Sequence, residues 1–159
     1  MLQFITHKSD RFSIAEEVKM VIDGGCRCVQ LRMKDVSDEE VKSVAEQIIP
    51  MCQETDTILV IDDRVELTMD LKVHGVHLGK NDMPAVNARE YLGAGAIIGV
   101  TANTAQDIIA YKKVDVDYVG LGPFRYTTTK SNLSPIIGLD GYRDIITEVR
   151  NAGVELPIV

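Results

Sequence analysis

The sequence lacks long hydrophobic runs and long basic tracts, and each absence excludes a class of protein. No segment approaches the roughly 20 consecutive apolar residues of a transmembrane helix, so we expect no membrane partner. The net charge is −7 and lysine and arginine are not clustered, which argues against a nucleic-acid-binding surface. No basic segment followed by a signal-like apolar run opens the chain, so we expect a cytoplasmic protein.

Cysteine is also scarce, since the chain has only Cys26, Cys28 and Cys52. An odd number without an export signal predicts reduced thiols rather than a disulfide framework. No second pair at zinc-ligand spacing follows Cys26 and Cys28, and His74 and His77 are not spaced as ligands on one helix face. Thiol chemistry and zinc binding are therefore the weaker alternatives.

Strand and helix patterns alternate along all 159 residues without a low-complexity linker. Two S-x-x-E capping boxes, at 13–16 and 37–40, each open a helix. The predicted strands are 2–7, 28–34, 58–62, 76–78, 97–101 and 118–122, and a further strand starts at 156–159. Helices are predicted after Ser13, after Ser37, near 65–71, from about 84 to 92, after Thr104 and near 141–151. Six β-then-α units and the start of a seventh predict an α/β fold with a parallel sheet.

An open doubly wound sheet and a closed barrel both fit this alternation. The barrel is favoured because polar residues close nearly every strand, whereas an open sheet concentrates its site near one switch point. We therefore expect one (β/α)8 TIM-barrel domain over residues 1–159. A barrel has eight units, so we expect the sequence to stop within strand seven, with the C-terminal units missing. Unclosed sheet edges would invite association, and the oligomeric state stays open.

Acidic residues follow two neighbouring predicted strands. The strand 58–62 ends in Asp62 and Asp63, and the next strand leads to Asp82. Carboxyl ends of parallel strands meet at one edge, where ligands bind. Two carboxylates about 5 Å apart repel by roughly 3 kcal/mol at an effective dielectric near 20. Mg2+ would relieve this repulsion. The alternative is that Asp63 and Asp82 only cap the following helices.

Three polar side chains alternate with apolar ones on the second predicted strand: Gln30, Arg32 and Lys34. A period of two places them on one face. On an antiparallel strand this would simply be the solvent-exposed side. In a covered parallel sheet an unpaired buried amide costs roughly 2–7 kcal/mol, so such groups belong at a ligand mouth. We favour an anion-binding face.

The loop after the sixth predicted strand combines Gly120 and Gly122 with Thr127, Thr129 and Lys130. Glycine lets the backbone approach a ligand, hydroxyl groups donate to phosphate oxygens, and lysine supplies a positive charge. Taken alone, such a loop is also typical of an ordinary protein surface. Together with the acids and the Gln/Arg/Lys strand, it predicts a site for a diphosphate and its Mg2+.

The motifs resemble those of the thiamine-phosphate synthase family. The similar segments are QLRMKD at 30–35, IDDRVEL at 61–67, GVHLGKND at 75–82, IGVT at 98–101, and GLGP with TTTK within 120–130. They extend over essentially the whole chain, and five motifs in order are far more specific than any one alone. The resemblance implies a (β/α)8 barrel and an Mg2+-dependent transferase of thiamine biosynthesis.

The family joins 4-amino-2-methyl-5-pyrimidinylmethyl diphosphate (the pyrimidine diphosphate) to a thiazole phosphate and releases diphosphate. The resemblance implies that Asp63 and Asp82 bind Mg2+. Residues that correspond to the pyrimidine diphosphate site are Gln30, Arg32, Lys34, Asp62, Thr101 and Lys130; of these, Arg32, Lys34 and Lys130 are expected to act in catalysis. Thr127 and Thr129 correspond to contacts with the thiazole phosphate. The chemistry implied is dissociative, so that diphosphate leaves before the thiazole nitrogen attacks.

Three positions depart from the family pattern, and two other functions compete. Asp62 stands where the family usually has Asn, Thr101 where it has Ser, and Lys80 where it often has Gln. A thiazole tautomerase of the same superfamily would need an imidazole shortly after Thr101, where this chain has Asn103, and an amide cannot shuttle protons. A non-catalytic phosphate-ligand binder would need the cations but not the paired acids.

Overall fold

Strands and helices alternate along the chain in the computed structural model, which describes residues 2–127 and 133–159. The strands are β1 Phe4–Ile5, β2 Cys28–Leu31, β3 Ile58–Asp62, β4 Gly75–Leu78, β5 Ile97–Ala102 and β6 Tyr118–Leu121. The helices are α1 Ile14–Asp23, α2 Asp38–Glu54, α3 Val65–Leu71, α4 Ala85–Leu92, α5 Ala105–Ala110 and α6 Gly138–Asn151, and a 3-10 turn at Tyr111–Lys113 follows α5. The predicted order of elements is confirmed, and the bounds of β3 and α3 agree with prediction at both ends.

Three strands are shorter than predicted: β6 ends one residue early, at Leu121, and β1 and β2 differ more. β1 covers only Phe4–Ile5, and β2 ends at Leu31 rather than at Lys34. The last registered pair between β2 and β3 is Leu31 with Ile61. On the side of β1, the N–H of Arg32 donates to the hydroxyl oxygen of Thr6 at 2.9 Å and not to a backbone carbonyl oxygen. A side-chain acceptor therefore takes the place of backbone pairing with the segment after β1.

Side-chain capping begins three of the helices as the sequence predicts. In each, the hydroxyl of the N-cap residue accepts from the N–H three residues later, and the acid at that position accepts from the N-cap N–H. The pairs are Ser13 with Glu16, Ser37 with Glu40, and Thr104 with Asp107. Such caps satisfy N–H groups that have no partner within the helix, and each stabilises by about 1 kcal/mol.

The chain divides into two compact units. The first runs as far as His77 and includes residues 94–97, and the second comprises residues 78–93 and 98–159. In the first unit β1 pairs with β2, β2 with β3, and β3 with β4, all in parallel. In the second, β5 pairs in parallel with β6, and Val119 forms a parallel bridge with Ile158. This single bridge lies within residues 156–159, where a further strand was predicted to begin.

The core of the first unit lies where α1 and α2 cover β2 and β3. Its buried side chains are Val18 and Ile22 of α1, Val29 and Leu31 of β2, Val41, Ala45, Ile48 and Cys52 of α2, and Leu59 and Ile61 of β3. All of β2, and β3 after its first residue, are buried. Parallel strands covered by helices require such continuous apolar sequences. Each large apolar side chain buried in this way contributes about 1.5–3 kcal/mol relative to an exposed one.

Gly75 allows a close backbone approach at the start of β4. The N–H of Ile97 donates to the carbonyl oxygen of His74 at 2.8 Å. A Cβ on Gly75 would lie 1.9 Å from the carbonyl oxygen of Ile97, so no other residue fits here without moving backbone. Glycine is thus required by packing at this position.

The part of the chain that the structure describes is an α/β protein with six strands, each parallel to its partners. None of the described helices combines the length and apolar composition needed to cross a membrane. The α/β class and the parallel pairing predicted from the sequence are confirmed.

Candidate active site

β3 ends in two acidic residues with different surroundings. Asp62 is the last residue of the strand and is only 4% exposed, whereas Asp63 lies just beyond it and is half-buried. Asp63 has φ of +67°, in the left-handed region that Asp adopts more readily than most residues. Its N–H donates to the carbonyl oxygen of His77 at 2.9 Å. Backbone held in a sparsely populated region is a feature that clusters at functional sites.

Side chains from the end of β2 gather around these two acids. The Gln30 amide donates to Oδ1 of Asp62 at 2.5 Å. The Lys34 ammonium lies 3.1 Å from Oδ2 of Asp62 and also contacts Oδ2 of Asp63. Nε of Arg32 lies 3.8 Å from Oδ2 of Asp62. The structure therefore brings together the five predicted site residues of the first unit, which we call the β2–β3 cluster: Gln30, Arg32, Lys34, Asp62 and Asp63.

The strand that was predicted to carry these side chains ends earlier than predicted. Arg32 and Lys34 lie after β2 and not on it. The side chains of Gln30, Arg32 and Lys34 nevertheless all reach Asp62, as expected of polar groups on one face. Two cations and two carboxylates balance in charge here, and Lys34 contacts both acids. The Lys34 side chain is 40% exposed.

Asp82 lies in the second unit, in the turn after β4. Its Oδ2 accepts the N–H of Gly79 at 2.6 Å. A Cβ on Gly79 would lie 2.8 Å from that same oxygen, so the carboxylate occupies space that only glycine leaves open. The loop backbone therefore sets the position of this carboxylate.

The simpler explanation of the two acids, that they cap the following helices, is wrong. The N-cap residue of α3 is Arg64 and that of α4 is Pro84, and neither helix has a side-chain capping hydrogen bond. The carboxylate of Asp63 contacts Lys34, and that of Asp82 accepts from Gly79. Both acids thus have other roles than helix capping.

The remaining predicted site residues belong to the second unit. Thr101 is a half-buried residue of β5, and Thr127 is a half-buried residue of the loop after β6. Thr129 and Lys130 lie outside the described residues. The predicted ligand contacts of these four residues stay predictions, as does the predicted closeness of Asp63 and Asp82.

Thr6 supports the β2–β3 cluster, and sequence reasoning missed it. It is fully buried, its hydroxyl oxygen accepts the N–H of Arg32, and its hydroxyl lies 3.2 Å from the carbonyl oxygen of Arg32. Both backbone polar groups of Arg32 are thereby paired with one side chain. A threonine near the end of a short strand carries no distinctive sequence signal, so only the fold reveals this contact.

Lys80 and Asp107 form a second contact that the sequence did not predict. Nζ of Lys80 lies 2.6 Å from Oδ2 of Asp107, which also accepts the N–H groups of Asn103 and Thr104. Burial raises the pKa of Asp107, but the hydrogen bonds from Lys80, Asn103 and Thr104 outweigh burial, so the pKa lies below its ordinary value. The ion pair ties the turn that carries Asp82 to the beginning of α5.

Asn103 stands where the tautomerase interpretation needs an imidazole. Its side chain forms a hydrogen bond within the fold. Its side-chain amide donates to the carbonyl oxygen of Gly122 at 2.5 Å. An amide held in this way joins two strand ends of the second unit. The contact adds nothing in favour of a proton shuttle.

The cysteines have the properties of structural thiols. All three are buried and unpaired. Burial raises the pKa of Cys52 to about 11 and also raises the pKa of Cys28, with a smaller contribution from Cys26. Among residues 2–127 and 133–159, no three or more histidine, cysteine, aspartate and glutamate side chains are grouped to hold a metal ion.

Comparison with known proteins identifies relatives along the whole chain. A family model described as thiamine monophosphate synthase matches residues 2–159. A thiamine-phosphate synthase of Bacteroides thetaiotaomicron is 52% identical over 158 residues, which cover 99% of this chain and 76% of the relative. One of Bacteroides fragilis is 51% identical, covering 99% of this chain and 78% of the relative. The relatives are thus longer than this sequence.

A solved structure titled thiamine phosphate pyrophosphorylase, from Pyrococcus furiosus, has the same fold. Its TM-score is 0.79 at 24% identity, and the match covers 99% of this chain and 84% of that one. An N-acetylmannosamine-6-phosphate 2-epimerase from Clostridium perfringens also matches, with a TM-score of 0.61 at 11% identity and coverage of 98% and 73%. Different activities thus share this fold, and the fold alone does not decide between them.

Parallel strand–helix units with cations, amides and acids at and just after the strand ends define the class of this protein as an α/β enzyme acting on small molecules. The particular family follows from the comparisons. The chain belongs to the thiamine monophosphate synthase family. It is accordingly a transferase of thiamine phosphate synthesis, as the motif resemblance implied.

Proposed function

We propose that this enzyme joins the pyrimidine diphosphate to a thiazole phosphate with Mg2+ at the diphosphate, by departure of diphosphate before attack of the thiazole nitrogen. The single observation that supports this most is the β2–β3 cluster. It collects an amide and two cations around two carboxylates at strand ends, with Lys34 partly exposed. A diphosphate ester needs such donors, and a divalent cation needs such acids.

Asp63 and Asp82 are the residues that would hold Mg2+. Carboxylate oxygen is the donor that this ion prefers, and the ion is commonly bound by one or two carboxylates together with substrate phosphate oxygens. Neither acid caps a helix. Oδ2 of Asp82 accepts the N–H of Gly79, and Oδ1 takes no part in that hydrogen bond. The donor set thus fits the ion. When bound, Mg2+ would neutralise charge on the departing diphosphate.

Gln30, Arg32 and Lys34 bind and orient the diphosphate in this proposal. The Arg32 side chain is 16% exposed and its backbone is fixed by Thr6, so it offers a guanidinium in one place. Lys34 is more exposed and reaches past Asp62 toward Asp63. Lys130, Thr101, Thr127 and Thr129 complete the phosphate and substrate contacts by their place in the family motifs.

These side chains favour departure of diphosphate over its binding. As the carbon–oxygen bond breaks, negative charge accumulates on the leaving diphosphate, and fixed cations stabilise that charge more strongly in the transition state than in the ground state. No nucleophilic side chain is required, which agrees with thiols whose pKa burial has raised. The pyrimidinylmethyl carbon is then captured by the thiazole nitrogen.

The fold in this proposal is a (β/α)8 barrel in one domain. The parallel bridge of Val119 with Ile158 supports it. The proposal includes a cytoplasmic location.

The proposal is tested by supplying both substrates to the purified protein with and without Mg2+ while following diphosphate release. We expect thiamine phosphate and diphosphate in equal amounts, and loss of both when the metal is chelated. Conversion of the thiazole phosphate without the pyrimidine diphosphate would indicate the tautomerase instead. Ligand binding without any product would indicate a non-catalytic binder.

A further inference from the structure

Asp62 is the centre of the β2–β3 cluster and is almost completely buried. It is 4% exposed. Three side chains contact its two carboxylate oxygens. Oδ1 accepts the Gln30 amide at 2.5 Å, and Oδ2 lies 3.1 Å from Nζ of Lys34 and 3.8 Å from Nε of Arg32. A buried carboxylate persists only when partners of this kind compensate it.

The carboxylate of Asp62 also sets the direction of the Gln30 amide. An ionised carboxylate accepts hydrogen bonds and cannot donate, so Gln30 must turn its NH2 group toward Asp62. Its carbonyl oxygen is then directed toward Gln3, whose amide donates to it at 3.4 Å. With asparagine at position 62, an amide would face an amide, and either orientation of Gln30 could be satisfied.

The charge of Asp62 acts on the cations as well. Asp62 contacts both Arg32 and Lys34, so it restrains two flexible side chains while it cancels part of their positive charge. Restraint favours a reaction that needs fixed cations. Because Asp62 cancels part of the positive charge of Arg32 and Lys34, the site attracts a free anion less strongly. Charges at this range interact strongly in a partly buried site. The restraint therefore raises turnover, whereas the cancelled charge lowers the affinity for a free anion.

We infer that Asp62 is a positioning residue that orients Gln30, Arg32 and Lys34 for the diphosphate and, by its charge, keeps the affinity for diphosphate low. The inference rests on the proposed function for the identity of the ligand. It gives Asp62 a positioning role in addition to its place in the pyrimidine diphosphate site. Low affinity for diphosphate also suits an enzyme that must release it as product.

The test compares Asp62→Asn with Asp62→Ala in the full-length protein. Inorganic diphosphate binding is measured by calorimetry with Mg2+ present, and kcat and KM are measured with both substrates. We expect Asp62→Asn to tighten diphosphate binding about tenfold, from the loss of one charge near the ligand. We expect kcat to fall about tenfold in Asp62→Asn and further in Asp62→Ala, which also leaves Gln30 without its partner.

Two further variants separate the positioning role of Asp62 from a general effect of charge on the protein. Asp38→Asn removes the same charge from an exposed acid of the first unit that pairs with Arg64, and it should leave both quantities unchanged. In a Lys34→Met background, Asp62→Asn should change kcat less than it does alone, because the two residues act together. Thermal unfolding of each variant identifies any loss of turnover that comes from loss of fold.

The outcomes distinguish the inference from the proposed function. Unchanged diphosphate binding in a folded Asp62→Asn protein, or full kcat with tighter binding, overturns the positioning role. An equal change in Asp38→Asn overturns it too, because the effect would then be one of overall charge. If the unaltered protein forms no thiamine phosphate, the proposed function fails, and the calorimetric comparison still decides whether Asp62 lowers diphosphate affinity.

Discussion

Gly79 offers a sharp test of whether the Asp82 carboxylate must stay where the loop holds it. In Gly79→Ala the new Cβ would lie 2.8 Å from Oδ2 of Asp82, well inside the 3.4 Å at which ordinary van der Waals contact begins. The carboxylate must therefore move by more than half an ångström or lose its 2.6 Å hydrogen bond from the Gly79 N–H. A hydrogen bond to a charged group contributes about 1.5–3 kcal/mol, and a 1 Å misplacement in an active site can lower the rate about 100-fold.

We expect Gly79→Ala to lower turnover at a fixed, subsaturating Mg2+ concentration by ten- to 100-fold, as an order of magnitude. Raising the Mg2+ concentration should recover part of the lost turnover, because a displaced carboxylate ligand weakens metal binding. Gly95→Ala is the matched control, since a Cβ there meets nothing within 4 Å. The assay is diphosphate release as a function of Mg2+ concentration. A folded Gly79→Ala protein with the metal dependence of the unaltered enzyme would refute the assignment of Asp82.

Three other predictions use the same chain. Asp63→Asn, which suits the left-handed backbone at this position, and Lys130→Ala should each lower turnover about 100-fold with thermal unfolding unchanged; near-normal rates in both would remove these roles. Thr6→Val should destabilise by about 1–3 kcal/mol in urea unfolding, because both backbone groups of Arg32 lose their buried partner; an unchanged midpoint would contradict this. Asp107→Asn should destabilise by about 1 kcal/mol at neutral pH. Its folded pKa is lowered, so the contribution is present above the unfolded value of 3.8 and is lost as pH falls through the folded value. An equal effect of Asp107→Asn in acid and at neutral pH would show that charge is not the cause.

Local sequence patterns predicted most elements because the causes of those elements are local. The capping boxes at Ser13, Ser37 and Thr104 mark three helix starts, since each hydroxyl pairs with an N–H only three residues away. The apolar run of β3 and the short helix after it were likewise predicted at both ends. Predictions failed where a distant side chain takes the place of backbone pairing, as Thr6 does after β1.

The chemistry of the site was readable in the residue types, but its arrangement was not. Carboxylates after β3 and β4 indicated a cation site, and Gln30, Arg32 and Lys34 indicated an anion site. That Lys34 contacts both Asp62 and Asp63 depends on how segments far apart in the chain pair, which no local pattern of residues predicts. The ion pair of Lys80 with Asp107 spans 27 residues and was missed for the same reason.

The sequence by itself determined the order of strands and helices, the parallel class of the sheet and the family, because these depend on periodicity, capping and motifs within short segments. Only the tertiary structure decided that Asp62 is the buried partner of Gln30, Arg32 and Lys34, and that Asp63 and Asp82 do not cap helices. The physical reason is that hydrogen bonds and ion pairs depend on distances of about 3 Å, and the folding of residues far apart in the chain sets those distances.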